Sequence, residues 1–437
     1  MTRELALAQD AADALAPLRE QFDLPDGMIY LDGNSLGALP RKAAARVQQV
    51  ITEEWGLGLI GSWNAAGWMR LPQRVGDKIA PLVGAGPGEL VATDSTSVNL
   101  YKVLAAALAI RRGDDTGRAV KPTVIVSERS NFPTDLYIAE TLAAQHGCTL
   151  RLVNSHDDIP AALGLDAAVL LLTQTNYRTG RLHNMAQLSA AANKVGALTV
   201  WDLAHSAGAV PVALNDDGAD FAVGCGYKYL NGGPGAPAFV WVRPSLVNRV
   251  PQPLAGWHGH AAPFAFTPLY QPVAGITRYL CGTPSVLGLA ALECGVDTLL
   301  AATPLGGMAA LRQKSLALTR LFINLVASRC AAHGLVLVSP DDDAQRGSQV
   351  CLAFDPASAG GQGQAAYATV QALINRGVVG DFRAGDAADG LPDILRFGVT
   401  PLYTRFVDVW DAVAHLRAVL DAGEWRQPQF NQRGLVT

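Results

Sequence analysis

This chain of 437 residues has neither a long apolar run nor an excess of one charge, and each lack closes off a class of function. No stretch reaches the ~18 apolar residues expected of a bilayer span. The polar start, Met1-Thr-Arg-Glu-Leu-Ala-Leu-Ala-Gln-Asp10, has no unbroken apolar core of the kind a signal peptide needs. A cytoplasmic location is therefore expected. The formal net charge is −4 and no basic stripe is visible, which argues against nucleic acid or an anionic membrane as partner. Cys148, Cys225, Cys281, Cys294, Cys330 and Cys351 include no C-x-x-C pair, so neither a zinc ribbon nor a disulfide scaffold is expected. His258-Gly-His260 lacks a nearby third ligand, and nothing follows Asp341-Asp-Asp343 at calcium-loop spacing; no metal is expected. Gly84-Ala-Gly-Pro-Gly88 precedes a strand rather than following one, which removes a dinucleotide fingerprint. Internal repeats, low-complexity tracts and long linkers are also missing.

What is present is an ordinary core-forming composition, 49% hydrophobic and 16% charged, enough for two domains. Leu5, Ala8, Ala12, Leu15 and Leu18 recur at helical spacing and predict one amphipathic helix over the first ~20 residues. From about Pro81 to Cys281, β-rich runs alternate with helical ones. Strands are expected at Leu90–Thr93, Thr123–Ser127, Thr149–Leu152, Ala168–Thr173, Leu198–Asp202, Phe221–Gly224 and Ala238–Val242. That alternation predicts an α/β, doubly wound, mainly parallel seven-stranded sheet. A long helical stretch from about Leu305 leads to a second α/β segment, with strands at Leu335–Ser339, Val350–Phe354 and Ile394–Phe397 and helices near Ala365–Asn375 and Val407–Leu420. The expected division is an N-terminal helix and arm over 1–55, a large domain over 56–300 and a smaller C-terminal α/β domain over 301–437.

Lys228 stands where the apolar run from Phe221 breaks into Gly226-Tyr-Lys-Tyr-Leu-Asn-Gly-Gly-Pro-Gly235. A lysine at the end of a buried strand must pair with a charge or lose its proton, and a deprotonated lysine can form a Schiff base with an aldehyde such as pyridoxal phosphate, PLP. An isolated Tyr-Lys-Tyr is more often a solvated loop. Asp202, which ends Ala197-Leu-Thr-Val-Trp-Asp202 and lies 26 residues before the lysine, shifts that balance. One strand-loop-strand step sets both side chains at the C-terminal edge of a parallel sheet, where α/β folds bind ligands. PLP chemistry needs an acid on the pyridine nitrogen and a lysine on the aldehyde carbon. Taken alone, Asp202 reads as a helix N-cap and His205 as a packing histidine.

Two other stretches are candidate pocket walls. Thr93-Asp-Ser-Thr-Ser-Val-Asn99 leads into a helix over Leu100–Ile110, so Ser95, Thr96 and Ser97 offer hydroxyls and N–H groups at a helix N-terminus, a natural phosphate seat. Met28-Ile-Tyr-Leu-Asp-Gly-Asn-Ser-Leu-Gly37 is a short strand followed by a polar turn. Trp55, Trp63 and Trp68 supply aromatic surface, for core packing or for a flat substrate.

Five ordered motifs, Leu31-Asp-Gly-Asn-Ser-Leu-Gly37, Asn131-Phe-Pro-Thr-Asp135, Trp201-Asp-Leu-Ala-His-Ser-Ala-Gly208, Gly226 to Gly235 and Leu395-Arg-Phe-Gly398, together resemble the kynureninases along nearly the whole chain. These are PLP enzymes of the aspartate aminotransferase fold, the type I PLP-dependent transferase fold. The resemblance implies a hydrolase that cleaves the Cβ–Cγ bond of L-kynurenine to give anthranilate and L-alanine in tryptophan catabolism, a route also linked to NAD biosynthesis. It further implies PLP as cofactor and a homodimer with active sites at the subunit interface. By resemblance Lys228 carries the cofactor, Asp202 faces the pyridine nitrogen, His205 and Asp135 contact the cofactor, and Phe132 stacks on its ring. Thr96, Ser97, Tyr227 and Trp257 match positions around the phosphate, Thr283 reaches in from the second subunit, and Thr173 is a neighbour. Arg396 matches the grip on the substrate α-carboxylate, a task suited to a bidentate guanidinium. Asn34, Ser35, Trp63 and Trp68 fall near the aryl group.

In the implied mechanism Lys228 moves the Cα proton, Asp202 keeps the ring protonated, and Tyr227 is the candidate for late proton transfer. The rivals are a cysteine desulfurase or aminotransferase of the same fold, and a catalytically silent regulator that binds a metabolite. Desulfurases resemble one another in having a histidine before the lysine, where Tyr227 stands here, and Lys228, Asp202 and Arg396 are all retained. Kynurenine and 3-hydroxykynurenine are not separated by the sequence.

Overall fold

A computed structural model describes residues 1–113, 121–355, 365–386 and 390–434. They form two compact units, one of Lys42–Tyr177 with His183–Asp297, the other of Met1–Arg41 with Arg178–Leu182 and Thr298–Thr437.

The first unit is built on seven strands: β1 (Leu90–Ala92), β2 (Val124–Glu128), β3 (Thr149–Val153), β4 (Ala167–Thr173), β5 (Leu198–Asp202), β6 (Phe221–Gly224) and β7 (Phe239–Val242). Their order across the sheet is β1-β7-β6-β5-β4-β2-β3. The pairs from β6 through β3 are parallel, and β7 runs antiparallel to both its neighbours. The seven expected strands are all present, with ends shifted by a residue at most. β4, Ala-Ala-Val-Leu-Leu-Leu-Thr, is buried along its whole length; a strand covered on both faces reads as a continuous apolar run rather than an alternating one. Helix α1 (Thr96–Gly113) follows β1 and helix α2 (Pro133–His146) follows β2. α2 starts with proline at N1 and ends on Gly147 at φ 64°, the two residues best fitted to those ends. Leu100, Val103, Leu104 and Leu108 of α1 pack with Val169 and Leu171 of β4 and Val223 of β6 in one core.

By length and composition one helical stretch among the described residues, Val286–Leu305, does meet the requirement for crossing a membrane, contrary to the expectation that none would. Inside it Glu293 pairs with Arg74 at 3.0 Å and with Lys78 at 3.1 Å, and Leu289, Leu292 and Val296 are buried. Up to Asp297, where the first unit ends, the stretch turns an apolar face inward and has Glu293 paired, as a helix packed in the core of its unit does.

In the second unit the strands β8 (Leu335–Leu337), β9 (Gln349–Phe354), β10 (Asp381–Arg383) and β11 (Ile394–Gly398) form an antiparallel sheet in the order β8-β9-β11-β10. β10 was not anticipated, because three residues are too few for a period-2 pattern to show. The arm joins this unit: Ile29–Tyr30 pairs in parallel with Val378–Val379, and Asp32 bridges Gly398. The single amphipathic helix expected at the N-terminus is instead an α-helix over Arg3–Ala11 and a 3-10 helix over Ala16–Gln21. Pro17 cannot donate within a helix interior. Asp13 also caps the new turn through the Leu15 N–H at 2.9 Å and pairs with Lys314 at 2.7 Å.

Candidate active site

The C-terminal edge of the parallel strands gathers the groups picked out from sequence. β6 ends at Gly224, and the chain turns through Gly226 to Lys228. A Cβ on Gly226 would lie 2.2 Å from the Pro237 carbonyl oxygen, so this approach admits only glycine. Lys228 is half-buried, and its Nζ lies 3.0 Å from His205 Nε2, 5.9 Å from the Phe132 ring centroid and 5.7 Å from that of Tyr227.

Asp202 ends β5 beside Thr173 at the end of β4. Its Oδ1 accepts the Ala204 N–H at 2.7 Å, so the carboxylate caps the turn that follows the strand. Asp202 and Asp135 are both buried and share a side-chain hydrogen bond. Burial pushes the Asp202 carboxyl up while the Lys228 charge draws it down. Asp135 is raised well above the carboxylate range, first by burial and then by the Asp202 charge. Two carboxyls in one dry site resist ionising together, which favours the proton on Asp135, with Asp202 as its acceptor.

Phe132 is held by a chain of bonds that sequence reading missed. Asn131 Oδ1 accepts from the Phe132 N–H at 2.8 Å and from Thr173 Oγ1, while Asn131 Nδ2 donates to Ser127 Oγ at 3.2 Å and that hydroxyl donates to Leu171 O at 2.7 Å. The Thr173 hydroxyl also lies 3.4 Å from Asp135 Oδ2. The Phe132 ring meets Tyr177 edge-on at 5.2 Å and stays 38% exposed, leaving a face open to another flat ring. Glu128, at the end of β2, forms a buried pair with His183 at 3.1 Å. A carboxylate closing a strand, as Asp202 does, was the one signal that pointed to it.

A cavity of about 380 Å³ has Asp94, Ser95, Thr96, Tyr227, Gly235 and Thr283 in its wall. Thr96 begins α1, and Ser95 Oγ accepts the Val98 N–H at 3.3 Å. Free N–H groups at a helix start attract an anion. Ser97 is exposed in the same turn. Thr283 lies in this wall within the one chain, whereas Trp257 lines a separate hollow of about 370 Å³. Trp257 belongs to an aromatic group with Trp63 at 5.6 Å, and Trp63 meets Trp68 at 6.2 Å. Trp68 Nε1 donates to Glu54 Oε2 at 2.7 Å. Both histidines engage backbone: His258 Nε2 lies 3.2 Å from Met69 O, and His260 Nδ1 accepts the Ala262 N–H at 2.8 Å.

Within the second unit, Arg396 and Asp381 stand directly opposite across β11 and β10 and form an ion pair with both side chains 1% exposed. Arg396 Nη2 also donates to Ser35 Oγ at 2.9 Å, and Arg383 Nη2 lies 2.8 Å from Asp381. Asn34 is fully buried against Gly398, where a Cβ would come within 1.8 Å of its Oδ1. Burial and the Asp381 charge push the neighbouring Asp32 up to about 7.

The fit to PLP is direct in the first unit. A buried carboxylate stands at the sheet edge, an amine and an imidazole lie together, an aromatic face is open, and a hydroxyl-lined helix start borders a cavity.

Comparison with known proteins adds sequence to this geometry. Residues 311–416 match the family described as the kynureninase C-terminal domain. The chain is 56% identical over 438 aligned residues to a kynureninase of Pseudomonas fluorescens, covering 100% of both chains, and likewise 56% identical to one of Burkholderia pseudomallei (strain K96243). Among solved structures, a cysteine desulfurase from Thermococcus onnurineus NA1 superposes with a TM-score of 0.74 at 18% identity over 93% of this chain and 98% of that one. The cysteine desulfurase CsdA from Escherichia coli also gives 0.74, at 21% identity and the same coverage. At such identities the structural likeness establishes the fold alone. It is the PLP-enzyme fold expected from the motifs.

Proposed function

The chain belongs to the kynureninase family, and from that premise we propose how its residues carry out PLP-dependent hydrolysis of L-kynurenine to anthranilate and L-alanine. The observation that carries the reading is the Lys228, His205, Asp202 and Phe132 cluster at the C-terminal edge of the sheet. Bound PLP supplies the electron sink that makes the substrate Cα–H acidic and lets the Cβ–Cγ bond break. Lys228 would hold it through Nζ, Asp202 at the pyridine nitrogen, Phe132 on the ring face, and Thr96, Ser97 and Tyr227 at the phosphate.

Lys228 Nζ, freed when substrate binds, takes the Cα proton; His205 at 3.0 Å orients it. The Asp135 hydrogen bond would stabilise the negative charge that Asp202 holds for the pyridine nitrogen. One water balances the reaction. Its hydroxyl joins the acyl carbon that leaves as anthranilate, and its remaining proton ends on Cβ, which becomes the methyl of alanine. Tyr227, whose ring centroid lies 5.7 Å from Lys228 Nζ, is the proton donor at Cβ. Arg396, held flat by Asp381 and Ser35, takes the α-carboxylate, with Asn34 beside it, and Trp63 and Trp68 supply aryl contacts.

The reading includes a homodimer. Trp55, Leu57, Ile60, Phe264, Phe266 and Leu269 are all more than half exposed, and a second copy is the partner proposed to cover them. Work in the cytoplasm belongs to the same reading, and six free cysteines fit a reducing compartment. The test is to add PLP to the purified chain and follow anthranilate fluorescence with kynurenine and, separately, with 3-hydroxykynurenine as substrate. No aryl product from either substrate would overturn the assignment.

A further inference from the structure

The cavity assigned to the cofactor phosphate has a carboxylate in its wall. Asp94 is the residue at which the chain leaves β1 for α1, with a left-handed φ of 46°. Its backbone is fixed there by the Ala238 N–H, which donates to Asp94 O at 2.8 Å. Its side chain is 30% exposed and accepts from Thr93 Oγ1 at 3.1 Å. A phosphate dianion entering the cavity would meet this like charge across a short, partly desolvated gap, and such gaps screen charge poorly.

Lys102 answers that charge. It lies on α1 with its side chain 0% exposed, a place a lysine occupies only when its ammonium is paired. Side chains on a helix lean toward its N-terminus, so Lys102 reaches back along α1 to the turn. There Nζ forms an ion pair with Asp94 Oδ2 and donates to the Tyr279 carbonyl at 2.7 Å. One buried ammonium thus joins two chain segments, at Asp94 and just before Thr283, that both contribute to the cavity wall.

We propose that Lys102 is a positioning residue for phosphate binding: it neutralises Asp94 in the cavity wall and fastens the 94–96 turn to the segment leading to Thr283, so that the cavity accepts a phosphate dianion. The proposal rests on the reading of this cavity as the cofactor's phosphate seat.

The test uses the full chain stripped of cofactor, titrated with PLP and with pyridoxal, which lacks the phosphate, and followed by absorbance. Lys102→Met should weaken PLP binding on the order of 10- to 100-fold, the effect of one uncompensated charge at close range, while pyridoxal affinity stays within about twofold. Asp94→Asn placed in the Lys102→Met chain should restore most of the loss. A Lys102→Met chain that binds PLP normally, or loses PLP and pyridoxal alike, overturns the proposal. So does a double variant with no recovery. If the unaltered chain itself binds no PLP, the cofactor reading fails, a result separable from failure of the Lys102 role alone.

Discussion

Replacing Asp135 by asparagine and by alanine separates the two things its carboxyl does, which are to donate a hydrogen bond to Asp202 and to carry a titratable proton. Asparagine keeps the shape and a donor N–H. Alanine removes both and leaves a buried carboxylate oxygen of Asp202 without its donor, which costs about 1–3 kcal/mol, or roughly 5- to 150-fold in cofactor affinity or turnover. Asp135→Asn should therefore keep turnover within about tenfold at neutral pH, while Asp135→Ala falls by the larger factor. The pH dependence follows from the raised carboxyl. Its folded-state pKa lies above the unfolded value of about 3.9, so below that value both states are protonated and the group is neutral to stability. As pH rises, the unfolded chain ionises first, and native stability declines until the folded pKa is passed. Asp135→Asn lacks this decline, so its Tm should gain on that of the unaltered protein between pH 4 and 7. It should also lose any alkaline fall in PLP affinity that comes from ionised Asp135 repelling Asp202. Turnover of the asparagine variant as low as that of the alanine variant, or a Tm difference that does not change with pH, would refute the donor assignment.

Lys228→Ala should abolish anthranilate release in a continuous fluorescence assay, and near-normal steady-state turnover would remove the lysine from the mechanism. Arg396→Ala should raise KM for kynurenine far more than it lowers kcat, since a carboxylate grip acts in ground state and transition state alike; an unchanged KM would count against it. His183 and hydrogen bonding hold Glu128 below its usual range despite burial, so the stabilisation from this pair is present above the unfolded pKa and fades as pH falls through the folded one. Glu128→Gln should accordingly lower Tm at pH 7, with a difference that shrinks toward pH 4, and thermal scans at the two pH values decide it.

Much of the fold was legible in the sequence because the signals are local. Seven apolar strands bounded by turn residues read directly as a sheet, and Asp202 and Lys228 stood out because polar groups that end buried strands are rare. The 26-residue step between them is one β-loop-β unit, so their approach could be inferred as well. The long helix predicted at the N-terminus broke because Pro17 and the Asp13 cap act over a few residues and override a pattern that remains periodic.

Partnership was decided by the tertiary structure. Arg396 was visible as a motif residue, but its Asp381 partner lies on a three-residue strand whose register against β11 sets the pair face to face. Asp135 was expected at the cofactor, yet its proton depends on sharing a dry pocket with Asp202. Lys102 looked like any helical lysine until folding buried its ammonium against Asp94 and the Tyr279 carbonyl. The sequence determined which chemical groups exist and which elements carry them, because periodicity and turn chemistry are properties of neighbours along the chain. Which charge meets which is set by strand register, helix direction and burial between distant segments, and those same factors fix the protonation states on which the chemistry depends.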